Sequence, residues 1–146
     1  MTGVWVLVGT VVIATVAGLV WRANQGRVRT VEPSGTPGKT DGGLPADVRA
    51  ALDPDAHVTL VQLSTTFCAP CRHTRVLLSD LAGRTDGLAH HEIDLTHKPE
   101  LAGALRVSRT PTTLAVASDG RELLRIGGVP KRDTLLDALR PHLSHP

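Results

Sequence analysis

The feature that most constrains this chain is the hexapeptide Phe67-Cys68-Ala69-Pro70-Cys71-Arg72, which carries both of its cysteines. A bond between cysteines three positions apart requires a tight backbone turn, because the two Cα atoms must come within about 7 Å. The first turn of a helix supplies such a turn. Pro70 suits it, since its φ is fixed near the helical value and its missing N–H would have no partner there. Upstream, Val58 to Ser64 is an almost continuous apolar run, the mark of a strand buried on both faces, as in a parallel sheet. Downstream, Thr74, Leu77, Leu78 and Leu81 fall at i, i+3, i+4 and i+7, one face of a helix that starts near Cys71 and is closed by Gly83 and Gly87. At such a strand-to-helix junction Cys68 faces the unpaired N–H groups of the helix start, which favour a thiolate, and Arg72 acts in the same direction. The residues alone leave three uses open for the pair: a structural disulfide, a metal site or a redox nucleophile.

At 146 residues the chain holds one ordinary domain and an appendage. The appendage is the amino-terminal stretch. From Val4 to Val20 there is no charge, and with Trp5 and Trp21 at its ends the run approaches the roughly 20 residues needed to cross a bilayer. No polar face exists for a buried core helix. A signal peptide is the competitor, but it lacks the basic start and a clear small-residue cleavage site. Residues 1–22 therefore read as a single-span anchor in the cell membrane, in contact with lipid over residues 4–21. Arg22, Arg27, Arg29 and Lys39 follow the span and none precedes it. This bias puts the domain on the cytoplasmic side, with extracytoplasmic placement the alternative. Residues 23–43, with Pro33-Ser34-Gly35-Thr36-Pro37-Gly38, read as a flexible linker with a reach of about 25 Å.

Residues 44–146 then form the domain. Pro45 to Leu52 reads as a short helix, Ala89 to Leu95 as a second strand, and Thr96 as the N-cap of a helix through Pro99, Leu101 and Leu105. Thr112 to Ala117 and Glu122 to Ile126 are strands joined by a hairpin at Asp119-Gly120, and Gly127-Gly128 breaks the second. A final helix from Lys131 turns Leu135, Leu136 and Leu139 inward until Pro141 interrupts it. A net charge of +2, with no Lys/Arg run and no aromatic platform, excludes a nucleic-acid partner. Two cysteines are also too few for a multi-bridge scaffold.

This order of elements resembles the thioredoxin family from Leu44 to about Leu143. Three motifs carry the resemblance: Phe67-Cys68-Ala69-Pro70-Cys71, Arg109-Thr110-Pro111-Thr112 and Gly127-Gly128. It implies a three-layer α/β/α fold with a mixed central sheet, preceded here by the single transmembrane helix. It also implies a thiol-disulfide oxidoreductase without a cofactor, in which Cys68 attacks and Cys71 resolves a mixed disulfide. Phe67, Ala69, Pro70, Thr110, a cis Pro111 and Gly127 are then the substrate-contacting set. The implied partners are protein thiols and disulfides and a second redox protein, and a monomer is expected. The chain departs from the family pattern at Gln62, where thioredoxins place a buried aspartate, and at His90, where a lysine is common. His90 itself reads as a partly exposed strand residue. The rival uses are weaker. A structural zinc site wants four ligands, and one C-x-x-C with His73, His90, His91 and His97 scattered nearby does not make one. A docking module without redox chemistry would have no need of both cysteines.

Overall fold

The computed structural model describes residues 2–24, 28–30 and 43–143. Thr2–Asn24 is one helix, α1. Its apolar part, Gly3–Ala23, has 21 residues, about 32 Å of helix. None of that stretch is buried by the rest of the chain. Its two hydroxyls are satisfied locally, because Thr10 and Thr15 donate to the carbonyls of Val6 and Val11 one turn back.

Val28–Thr30 forms strand β1, which pairs antiparallel with β5, Glu122–Gly127. These three residues fall inside the segment read as a linker, so that reading needs correction here: part of it is the edge of the sheet. A strand of three residues is too short to show a period, and its partner lies at the far end of the chain. The first two residues of the linker reading, 23 and 24, belong to α1, Gly43 leads into the helix that begins at Ala46, and residues 25–27 and 31–42 lie outside the described residues.

The other elements are α2 (Ala46–Ala50), β2 (Val58–Ser64), α3 (Ala69–Arg84), β3 (Leu88–Asp94), α4 (Pro99–Ala104), β4 (Thr112–Ala117) and α5 (Arg132–Leu143). The sheet runs β1-β5-β4-β2-β3, parallel only between β2 and β3. All seven residues of β2 are buried, and their alternation divides them between two cores. Val58 and Leu60 join Leu78 and Leu81 of α3, Ala115 of β4, Leu124 and Ile126 of β5, and Leu135 and Leu139 of α5. Val61 and Leu63 join Val48 of α2, Ile93 of β3, Leu101 of α4, and Leu114 and Val116 of β4. Helices therefore cover both faces, the three-layer arrangement that the resemblance implies.

Three local expectations are corrected. Helix α4 starts at Pro99 with Lys98 as an N-cap whose side chain makes no capping bond and pairs with Asp47 instead, and Thr96 is used elsewhere. Helix α3 runs past Gly83 to Arg84. Helix α5 continues through Pro141 to Leu143. Pro141 removes one N–H in the last turn, and Asp137, whose carbonyl loses that donor, is exposed and accessible to water.

The end of α4 has a less common device. The N–H of Arg106 bonds the Gly103 carbonyl at 3.0 Å and that of Val107 bonds the Ala102 carbonyl at 2.9 Å. This is the Schellman pattern, which places the residue after the C-cap in the left-handed region. That residue is Arg106, with φ of 50°, where glycine is the usual occupant. Arg106→Gly is therefore expected to stabilise the fold, by up to about 1 kcal/mol. Urea denaturation followed by far-UV circular dichroism measures this. Tryptophan emission would not, because Trp5 and Trp21 both lie in α1.

Candidate functional site

Strand β2 ends at Ser64, and the four residues that follow carry the chain across the end of the sheet into α3. This crossing is pinned from β3. The Thr66 N–H bonds the Thr96 hydroxyl at 2.9 Å, and Thr96 in turn bonds Asp94 through its N–H and its hydroxyl. Those bonds from Thr96 hold the Asp94 carboxyl below its ordinary value. Cys68 is the N-cap of α3, and its sulfur accepts the Cys71 N–H at 3.2 Å. The two cysteines are joined as a disulfide with their Cα atoms 5.2 Å apart. Cys68 is half-buried, whereas Cys71 is 2 % exposed. Phe67 stands 99 % exposed beside them, and Ala69 and Pro70 are also exposed.

A second loop meets this one. The Thr110–Pro111 bond is cis, and the hydroxyls of Thr65 and Thr110 approach to 3.4 Å. Thr112 bonds the Arg109 carbonyl at 2.8 Å, and the Gly128 N–H bonds the Pro111 carbonyl at 2.7 Å. Gly128 has φ of 88°, a turn that suits glycine. Leu63 pairs with Thr112, and Thr112 with Gly127. The structure thus collects Phe67, Cys68, Ala69, Pro70, Thr110, Pro111 and Gly127 at one end of the sheet, with Cys71 buried beneath.

Below Cys71 lies a polar group that the sequence does not reveal as a unit. Gln62 is fully buried, and its side-chain N–H groups reach the Cys71 carbonyl at 2.9 Å and Glu92 at 3.4 Å. Its carbonyl oxygen lies 3.2 Å from His90 Nε2. That oxygen only accepts, so His90 Nε2 carries a proton and donates, leaving Nδ1 to accept from Ser79, 3.0 Å away. Glu92 also accepts from Ser64 at 2.6 Å and pairs with Arg75. Burial pushes the Glu92 carboxyl up, but the bonds from Arg75 and Ser64 outweigh it and hold the group below its ordinary value. Glu92, Ser64, Arg75 and Ser79 were not assigned to the site from the sequence. The register that sets Gln62 beside Glu92 is the information that was missing. Among the described residues, His, Cys, Asp and Glu side chains nowhere gather in threes around a space for a metal ion.

A disulfide on the first turn of a helix, at the end of a doubly covered strand and against a cis-proline loop, defines a dithiol–disulfide exchange protein. Comparison with known proteins makes this specific. The thioredoxin family model matches residues 46–141. The thioredoxin of Staphylococcus saprophyticus is 32 % identical over 87 residues, 59 % of this chain and 83 % of that protein. The thioredoxin of Staphylococcus haemolyticus is 33 % identical over the same length. Among solved structures, a thioredoxin variant of Halobacterium salinarum superposes with a TM-score of 0.60 at 25 % identity, covering 71 % of this chain and 89 % of that one. The chain belongs to the thioredoxin family and is a thiol-disulfide oxidoreductase.

His90 gives this site a pH dependence. Burial is the largest influence on it and lowers its pKa from the ordinary 6.5, against the opposing pull of Glu92. The folded state thus binds the imidazole proton less readily than the unfolded state does. The stability from the neutral imidazole is fully present above pH 6.5 and is lost as pH falls below that value through the folded pKa. The depressed Glu92 adds its own loss only below its ordinary 4.5. Urea midpoints measured from pH 7.5 down to 5 are expected to fall for the native chain and to fall less for His90→Gln.

Proposed function

We propose that Cys68 is the attacking sulfur and Cys71 the resolving one, and that the protein exchanges its dithiol with disulfides of protein substrates. The observation that carries this reading is the asymmetry of the pair. Cys68 is reachable, sits at the helix start and has the Cys71 N–H directed at its sulfur. Cys71 is buried. In the reduced protein the N–H groups of the first turn of α3 stabilise a Cys68 thiolate. That thiolate attacks one sulfur of the substrate disulfide, and the other leaves as a thiolate that takes up a proton. Cys71, deprotonated, then attacks the Cys68 sulfur, and the second substrate sulfur leaves. Two electrons have passed to the substrate, and the Cys68–Cys71 disulfide remains. A second dithiol protein restores the reduced pair by the same two steps, and in reverse these steps oxidise a substrate dithiol.

Phe67, Ala69, Pro70, Thr110, Pro111 and Gly127 form the surface that receives the substrate. Phe67 offers an exposed apolar contact, and the Pro111 loop offers backbone beside the sulfurs. We further propose that α1 anchors the chain in a membrane, with residues 1–22 as the span. The bias of Arg22, Arg27, Arg29 and Lys39 to its carboxyl side supports a cytoplasmic domain.

Substitution separates the two roles. Reduced Cys71→Ser, incubated with insulin, is expected to accumulate a mixed disulfide visible on a non-reducing gel, whereas Cys68→Ser gives none. Neither variant should sustain turnover with dithiothreitol. The same adduct in both variants contradicts the assignment. For the anchor, the full chain is expected to stay with membranes washed in alkaline carbonate, and deletion of residues 1–22 should release it. An impermeant maleimide applied to intact cells is expected to leave Cys68 unlabelled, and labelling would place the domain outside.

A further inference from the structure

Four arginines line one cleft of about 430 Å³ that opens beside the Pro111 loop, together with Ser108, Thr112 and Gly127. Arg125 is fixed in place, paired with Glu122 and donating to the Leu105 carbonyl at 2.7 Å. Among the described residues, Arg29, Arg106 and Arg109 make no ion pair.

Folding alone does not favour this arrangement. Arg29 of β1 stands directly opposite Arg125 of β5 in the antiparallel register, and like charges so placed repel. Arg106 holds the left-handed position that glycine would occupy with less strain. Two independent features therefore carry positive charge into the cleft against the preference of the fold, which points to an anionic ligand.

The position of the cleft selects among anions. Its floor includes Thr112 and Gly127, which pair with each other and directly adjoin Pro111 and Gly128. The Arg109 side chain lies along Gly127, and a Cβ there would meet its Cδ at 3.6 Å. Arg109 is also one residue from Thr110 of the redox loop. A chain laid against that loop would run on into the arginines. We propose that Arg29, Arg106, Arg109 and Arg125 form a docking cleft for Asp and Glu side chains that flank the disulfide of a protein substrate. This inference rests on Cys68 and Cys71 being the exchanging pair. Each guanidinium offers a planar pair of donors to a carboxylate, and the cluster raises the rate of encounter with acidic segments.

The test uses the full chain in neutral detergent micelles and two peptides, each closed by one disulfide, with either Asp/Glu flanks or matched Asn/Gln flanks. The native protein is expected to reduce the acidic peptide about tenfold faster at low ionic strength, with the advantage shrinking as salt is added. Arg106→Gly combined with Arg109→Ala should bring the ratio of the two rates close to one. Arg106→Glu combined with Arg109→Glu should turn the preference toward a Lys-flanked peptide. Arg106→Gly alone should lower the ratio while raising the unfolding midpoint, which a loss of folding cannot mimic.

A linear acidic peptide with serines in place of its cysteines is titrated against the oxidised protein as a direct measure of docking. If neither cyclic peptide is reduced but this peptide still binds in an arginine-dependent manner, the exchange reading fails and the acidic cleft stands. Equal native rates on the two cyclic peptides overturn the proposal, as does serine-peptide binding that the substitutions leave unchanged. The proposal also falls if the substitutions abolish adsorption to phosphatidylglycerol vesicles and leave the peptide preference intact, since the cleft would then be a lipid contact.

Discussion

Strand β2 is buried along its whole length, hydrogen-bonded on one side to β3 and on the other to β4, with a separate apolar core on each face. Everything that gives the molecule its chemistry is hung from the end of this strand. A central strand has no freedom to slide, because a shift of one residue would exchange Leu60 and Val61 between the two cores and expose the pattern of both. The point at which the chain leaves the sheet is thereby set, and with it the place of Cys68. The cis-proline loop is registered against the same strand through the pairing of Leu63 with Thr112. The two halves of the site are thus aligned by one ladder of backbone hydrogen bonds.

The interior behind the disulfide is built without a buried charge. Gln62, an amide, takes the central place, and the ionisable groups His90 and Glu92 stand one bond further out toward solvent. A neutral amide in this position avoids the several kcal/mol that an unpaired buried carboxylate would cost, by order of magnitude. Two hydroxyls, on Thr74 and Thr113, are buried with no hydrogen-bond partner among the described residues. Thr113 pairs with Gln62 across the sheet, and Thr74 lies three residues beyond Cys71 on the buried face of α3. Each orphan donor costs about 1–3 kcal/mol, so this interior gives up some stability beside its reactive sulfurs.

Legibility followed the range of the interactions involved. The apolar run of β2, the face of α3 and the hairpin at Asp119-Gly120 were readable because each is encoded by neighbours in sequence, whereas the Thr-Pro loop was readable only through the family resemblance. The cysteine pair was readable as chemistry from its spacing, and as a redox pair through the family resemblance. What stayed hidden depends on register or on distant partners. Val28–Thr30 became a strand only because β5 offered an open edge. Glu92 came beside Gln62 through the parallel pairing of β3. Thr96 looked like a helix cap by its type, yet its hydroxyl was used to hold Thr66. Arg106 showed no local sign of a left-handed conformation, because arginine is not a residue from which one is expected.

Strand β1 changes how the apolar helix and the exchange domain are mechanically joined. Between Asn24 at the end of α1 and Val28 at the start of β1 there are four peptide links, which extend to about 14 Å at most. The sheet edge is therefore held on a very short leash, whatever course residues 31–42 take on their way to α2. A domain hung on a long coil would sweep a wide hemisphere. With α1 anchored in a membrane as proposed, this one would be confined to a shell little thicker than itself, and a substrate disulfide would be accessible only within that distance of the plane in which α1 ends.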